Sequence, residues 1–460
     1  MFRFLTRHLL AGSSLVLAGV VATGGIAAAD SDRFSDFTPL ASSAGSTADE
    51  AAPITFGNSS FQQRSAADRT AQLAAGEPNS GSWDMITLNE TGAQKGRYLF
   101  TPFETGQSGI QRLSVDTGEA ETLFTSPAVG EHISFDASFW TPWGTYITAE
   151  ESWCSAPAGC TTSTHGRLFE LTNPITADSV TEPNGESADL VHRNAVPRVS
   201  HEGIQFDKDH NMYFIDELDG GSWYKYVPAA SWGEVTSGGK GYFEAGQTFV
   251  LRVGDGMTPN ATGAYAWVPI TDETGAALPV ALTITDPNGV TSVDGRNTTD
   301  LAALKGTDYQ RPEDMQLQTV GGVERLYVTT TTTHEVYALD LGAQTIGVFA
   351  DRDTIDLATG AAVGTALANP DNLAVDHDGN MYIVEDRGGA VDDDIWFAKD
   401  LNSDGDLADA GEGIGRWASN GTVGSEFTGL YFDPTDKRRA WVNIQHPASG
   451  NDRTVEITTR

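Results

Sequence analysis

H-E-G-I-Q-F-D-K-D-H-N-M-Y-F-I-D-E, residues 201–217, and P-D-N-L-A-V-D-H-D-G-N-M-Y-I-V-E-D, residues 370–386, align without a gap. Ile204 meets Leu373, Asp207 meets Asp376, Met212-Tyr213 meets Met381-Tyr382, and Asp216-Glu217 meets Glu385-Asp386. Each stretch reads as an alternating strand, an acidic turn and a second strand. A third copy begins at R-P-E-D-M-Q-L, residues 311–317, and resumes at Leu326-Tyr327-Val328; a fourth is S-E-F-T-G-L-Y-F-D, residues 425–433, followed by Ala440-Trp441-Val442. No long stretch carries a 3.6-residue period. Repeated strand pairs of this kind predict an all-β fold, a β-propeller.

Two acidic slots recur. One lies before the first strand (Glu202, Glu313, Asp371) and one after the second (Asp216-Glu217, Glu385-Asp386), with fourteen residues from Glu202 to Asp216 and again from Asp371 to Glu385. Counting back the same interval from Glu150, in T-P-W-G-T-Y-I-T-A-E-E (residues 141–151), reaches Asp136, so this stretch is another repeat. In an antiparallel pair the first strand begins where the second ends. Both slots therefore fall on one rim, and the innermost strands converge on a central channel. The expected site is a funnel lined by Asp136, Glu150, Glu151, Glu202, Glu313, Asp371, Asn372, Glu385 and Asp386. Carboxylates crowded in this way repel each other unless cations intervene, and hard oxygen ligands suit calcium. The alternative is that turn acids merely cap strand ends in solvent.

Arg311, two residues before Glu313, either grips a phosphate or carboxylate bidentately or neutralises a neighbouring acid. D-L-N-S-D-G-D, residues 400–406, begins like a calcium loop, with Asp400, Asn402, Asp404 and Asp406 as ligands of a structural calcium; its twelfth position is Gly411, with Glu412 one place late, and a plain polar turn is the alternative. N-I-Q-H-P, residues 443–447, offers His446 as a ligand, a proton carrier or a merely structural histidine. There is no G-x-S-x-G, no H-E-x-x-H and no phosphate-cradling Gly loop.

The chain has 460 residues and a formal net charge of -35, with 63 Asp+Glu against 28 Lys+Arg. Such acidity makes the chain a poor candidate for nucleic acid or anionic membrane surfaces; it suits calcium binding or simply solubility. Arg3, Arg7 and His8, then Leu9 to Val21, then Ala27-Ala28-Ala29 read as a secretory signal over 1–29, without an Arg-Arg pair, so a secreted or periplasmic protein is expected. No later run of 18 apolar residues predicts a membrane span. Residues 30–81 read as a flexible or wrapping arm and 82–460 as the propeller, with insertions between strands in 232–304. Cys154 and Cys160, the only cysteines, are expected to form a disulfide, a thiolate metal ligand being the other reading.

The ordered motifs T-P-W-G-T-Y-I-T-A-E-E, S-H-E-G-I-Q-F-D, R-P-E-D-M, N-P-D-N-L-A-V-D, V-E-D and N-I-Q-H-P resemble those of the PhoX-type alkaline phosphatases, from about Asp136 to His446. The resemblance implies a six-bladed propeller whose funnel holds calcium and ferric iron and hydrolyses phosphomonoesters. It implies Glu150, Glu151, Glu202, Glu313, Asp371 and Glu385 near or on the metals, and Arg311 on the phosphate. Arg311, Glu313 and Glu202 are the catalytic candidates, a small phosphate ester is the expected substrate, and a monomer is expected. This chain departs from the family at Ala149, where the family carries an iron-binding cysteine, and in lacking the twin-arginine leader. A calcium-dominated member, in which iron is doubtful, is therefore expected. N-P-D-N-L-A-V-D-H-D-G-N-M-Y-I-V-E-D is also similar to the calcium-dependent lactonase and arylesterase propellers, and a non-catalytic calcium-binding module is a third reading.

Overall fold

The computed structural model describes residues 33–47, 49–152, 163–388 and 393–460. The signal segment 1–29 and the Cys154–Cys160 pair lie outside them. The fold is all-β with a propeller-like arrangement, and the described helices are short: Arg69–Ala75, Trp232–Thr236 and Gly295–Thr298.

The aligned repeats share one physical plan. Ile204–Phe206 pairs with Met212–Ile215, and Pro370–Val375 with Met381–Glu385, both antiparallel. Between them, Asp207 Oδ1 accepts the Asp209 and Asn211 amides and Asp207 Oδ2 accepts the Tyr213 hydroxyl. Asp376 does the same for Asp378, Asn380 and Tyr382. The turn needs one left-handed residue, supplied by His210 (φ 62°) in one repeat and Gly379 (φ 83°) in the other. The D-x-x-x-N-M-Y spacing is thus a turn code: one carboxylate satisfies two backbone donors and a cross-strand tyrosine.

Among the described residues four sheets are separate blades, rather than the six that the family resemblance suggested. Three have four strands and one has five; a further sheet of nine strands runs from Ile204–Phe206 to Pro312–Val320. The reason is an edge contact: Gly263–Pro269 and Thr345–Ala350 pair at Gly263↔Ile346 and Ala264↔Thr345, which joins two groups of strands into one hydrogen-bonded sheet. The insertion predicted around 232–304 supplies Gly263–Pro269 and the hairpin Thr283–Thr285/Thr291–Val293.

Residues before position 82 contribute to the sheets. Ile54–Phe56 pairs with Gly413–Asn420, and Gln62–Asp68 pairs with Arg453–Thr458 near the C-terminus. Joining the two ends of the chain covers sheet edges that would otherwise expose unpaired amides and carbonyls. Phe34 adds an aromatic anchor, with ring centroids 6.0 Å from Trp417 and 5.1 Å from Phe432. The core lies between neighbouring sheets: Tyr382, Val384 and Trp417 of one pack against Phe427, Ile444 and Val455 of the next.

Candidate metal centre

The register places both acidic slots at one rim. Pro370 pairs with Glu385, Pro312 with Thr330, and Phe135 bridges Glu150. The residues one step further, Asp371, Glu313 and Asp136 on the first strands and Asp386, Thr331 and Glu151 on the second, sit where the strands meet the axis. Glu202, Glu217 and Glu313 converge here, each offering an oxygen within 4.8 Å of the others, all buried. Burial, then the charges of neighbouring acids, pushes the carboxyls of Asp136, Glu151, Glu202, Glu313 and Asp371 well above their ordinary values. Asp136 Oδ1 and Glu202 Oε2 are buried with no hydrogen-bond partner among the described residues. A buried acceptor left without a donor is costly, and a cluster of them facing one another fits hard cations.

Arg311 enters this cluster with φ 52°, its Nη2 2.6 Å from Glu217 Oε1 and its Nε 3.3 Å from Glu313 Oε1. Burial would lower its pKa, but Glu313 and Glu217 raise it further above its usual value, so it stays a fixed cation. The neutralising role allowed by the sequence is therefore realised in this geometry.

The parity of the strands corrects two expected ligands. Glu150 does not face the axis. Its Oε2 accepts the Gly166 and Arg167 amides at 3.0 Å each and Arg167 Nε at 2.9 Å; its Oε1 accepts Arg167 Nη2 at 2.6 Å, with His165 Nδ1 at 3.1 Å. Burial would raise this carboxyl, but hydrogen bonds from His165 and Arg167 bring it down to about 2. Glu385 is likewise occupied, Oε1 accepting the Ala368 amide (2.8 Å) and Trp396 Nε1 (3.0 Å), and Oε2 the Asp394 amide (3.2 Å). Asp216, at the same position of its repeat, accepts the Ser200 amide at 2.9 Å. Successive residues of an extended chain point to opposite sides. The first acid of each pair therefore turns back into the blade, and the second (Glu151, Glu217, Asp386) joins the funnel charges. Asn372 donates to Glu202 Oε1 at 3.5 Å while its Oδ1 accepts the Gly429 amide at 2.6 Å, so it orients a ligand candidate and its own oxygen is engaged.

Four acids of the cluster were absent from the expected set. Glu217 is the second acid of its pair, in the position that Glu151 holds in its own repeat. Asp84 is raised by burial, then by Glu104 and Asp371; Glu426 is raised by burial, then by Asp386, Asp84 and Asp371. Glu104 is raised by burial and accepts Gln445 Nε2 at 2.8 Å. Trp83 bridges Phe103, so Asp84 and Glu104 occupy the two slots of the first sheet. The signal was present in W-D-M-I and P-F-E, but a longer turn separates them and breaks the fourteen-residue spacing. His446 stands at the mouth, 49% exposed, its Nε2 3.7 Å from Glu426 and 3.9 Å from Glu104.

Ala149 is fully buried in an apolar cluster with Ala137, Leu168 and Val199, and offers no ligand atom. In the 400–406 loop, Asp400 accepts the Ser403 and Gly405 amides, and Asn402 donates to Asp404 and Asp409. Glu412, buried, accepts the Leu401 and Asp409 amides.

A family model described as Alkaline phosphatase PhoX matches residues 137–448. No curated protein matches the chain. Among solved structures, similarity is found to a streptogramin B lyase (12% identity, TM-score 0.41, covering 87% of this chain and 98% of that one). It is also found to a luciferin-regenerating enzyme (9%, 0.42, 84% and 94%) and to a Bacteroides thetaiotaomicron protein of unknown function (11%, 0.39, 86% and 76%).

Proposed function

As the chain belongs to the PhoX alkaline phosphatase family, we propose that it is a metal-dependent phosphoric ester hydrolase acting at the carboxylate funnel. The observation that carries this reading is the buried convergence of Glu202, Glu217 and Glu313 around the guanidinium of Arg311. Asp84, Glu104, Asp136, Glu151, Asp371, Asp386 and Glu426 surround it and would complete the oxygen donor set. When bound, hard cations supply charge neutralisation and Lewis acidity toward phosphoryl oxygens. Glu202 and Glu313 would hold them against the phosphate. Arg311 would give up part of its hold on Glu217 and Glu313 once these take a cation. It would turn that edge to the phosphoryl oxygens, where a planar fork of donors matches the charge that spreads in the transition state. A lactonase would have no use for such a residue.

We assign calcium as the main metal, because the donors are carboxylate oxygens and Ala149 removes the thiolate by which the family holds iron. We also read Asp400, Asn402, Asp404 and Asp406 as a structural calcium loop, supported by Gly405 at φ 91° in its sixth position. The leader over 1–29 supports export. The test is elemental analysis joined to turnover of an aryl phosphate and a lactone, with calcium and with a chelator. Calcium-dependent phosphate turnover is expected. Lactone turnover alone, or no turnover in calcium or iron, would refute the assignment, and stoichiometric iron would refute the calcium reading.

A further inference from the structure

Two residues before each acid of the first slot, the chain makes the same hydrogen bond in every repeat. The carbonyls of Ser82, Ser134, Ser200, Arg311 and Asn369 accept the amides of Glu104, Glu151, Glu217, Thr331 and Asp386, at 2.8, 2.8, 2.9, 3.1 and 3.0 Å. These five residues therefore hold one equivalent position, just outside the carboxylates on the same rim. Four of the five are left-handed: Ser82 at φ 50°, Ser134 at 42°, Arg311 at 52° and Asn369 at 48°. Such a backbone favours glycine, and a side chain on it is strained. The chain places glycine at other left-handed turns, Gly76, Gly118 and Gly130 among them, but not here. Strain kept at the mouth of a site points to a use for the side chain.

Arg311 shows where a side chain leaving this position goes: its guanidinium lies on Glu217 and Glu313. Ser82 also reaches the mouth, its Oγ 3.4 Å from Nδ1 of His446, whose Nε2 is 3.7 Å from Glu426. The buried Asp452 fixes this pair, Oδ2 accepting the Ser82 amide at 3.2 Å and Oδ1 the His446 amide at 3.0 Å; His446 is left-handed too, at φ 55°. Ser134 and Asn369 are half-buried, and their side chains make no hydrogen bond among the described residues. Ser200 is the exception, fully buried with its Oγ 3.5 Å from Glu217.

Apart from Arg311, the partly exposed side chains at this position are uncharged and form hydrogen bonds. A hydroxyl group offers them both a donor and an acceptor. An alkyl chain would strip their water and return no hydrogen bond. A second anionic group would meet the acids beside His446, Glu104 and Glu426. An ammonium group would have to compete with the bound cations for those same acids. Resting on the phosphatase reading, we propose that Ser82, Ser134 and Asn369 are specificity-determining residues that bind the alcohol portion of the ester, and that this portion is an uncharged polyol, as in a glycerol or sugar monophosphate. The phosphate would lie inward with Arg311, and the hydroxyls of the leaving group would lie against the three polar side chains.

The test is kcat/KM of the full-length protein for three phosphate monoesters of similar size, those of glycerol, butanol and ethanolamine, in calcium and in iron. The glycerol ester should be preferred over each of the others by at least about tenfold, the worth of one or two hydrogen bonds. Ser134→Gly and Asn369→Gly remove a side chain where glycine is the least strained residue, so both variants should fold. Each should reduce the preference for the glycerol ester by about three- to tenfold. A wild type that favours the butyl or aminoethyl ester, or that shows no preference, would overturn the proposal. An undiminished preference in both folded glycine variants would overturn it as well. Turnover of none of the three esters would instead refute the hydrolase reading on which the proposal stands. The wild-type comparison decides the substrate class even if a variant fails to fold.

Discussion

Arg167 holds Glu150 by two edges at once, Nε to Oε2 at 2.9 Å and Nη2 to Oε1 at 2.6 Å, with both groups buried. The same guanidinium donates to the Glu131 carbonyl, and the Glu150 carboxylate is also within 3.4 Å of the Ile133 amide. The pair therefore ties the segment before Asp136 to the segment carrying Glu151. Removing one partner leaves a buried charge, which costs about 3–5 kcal/mol. Arg167→Met should lower the melting temperature more than Glu150→Gln/Arg167→Met together, as a double-mutant cycle by thermal denaturation would show.

This pair also sets an acid limit. Glu150 titrates near 2 in the folded chain against 4.5 ordinarily. A depressed carboxyl contributes stability that is complete above its unfolded value and lost as pH falls through its folded one. The wild type should lose stability between about pH 4.5 and 2, and Glu150→Gln should show a flatter loss there in urea titrations at stepped pH.

The funnel acids behave with the opposite sign. Burial holds Asp136, Glu202 and Glu313 above their ordinary values of 3.8 and 4.5, so the folded, metal-free chain keeps protons that the unfolded chain releases. Without metal, their contribution to stability is greatest below those values and declines as pH rises. In a chelator the melting temperature should fall as pH rises from 5 to 8, and saturating calcium should remove most of that slope. An identical slope with and without calcium would count against a metal centre.

Arg311→Ala should lower kcat/KM for an aryl phosphate by ~10²–10³-fold, the usual loss for one preorganised donor to a charged transition state. Arg311→Lys should recover only part of it, because a point charge lacks the fork. Unchanged turnover in Arg311→Ala would remove this residue from phosphate binding.

Asp84→Asn and Glu426→Gln should each weaken calcium binding, by about 10–100-fold if they act as ligands or orient them. Glu385→Gln should instead reduce stability, since its oxygens accept the Ala368 amide, Trp396 Nε1 and the Asp394 amide. Calorimetric calcium titration beside thermal denaturation separates the two effects.

The fold class was legible because D-x-x-x-N-M-Y encodes a turn locally: Asp207 and Asp376 satisfy their own neighbours' amides and a tyrosine six residues on. The slots were legible for the same reason, since a strand, a short turn and a strand fix a constant spacing. Where the turn lengthens, between Asp84 and Glu104, the constant fails and both acids escape notice.

What the sequence alone determined was the repeat and its rim: alternation and turn chemistry act between near neighbours and are written residue by residue. Which acid of each pair reaches the axis was left to the tertiary structure. Glu150 and Glu151 are the same residue type in adjacent positions, yet one meets Arg167 and the other faces the funnel. That choice depends on the register of each strand against its neighbour and on donors distant in the chain. The joining of two groups of strands through Gly263–Ala264 and Thr345–Ile346 was decided in the same way, by edges that meet only when the chain has closed on itself.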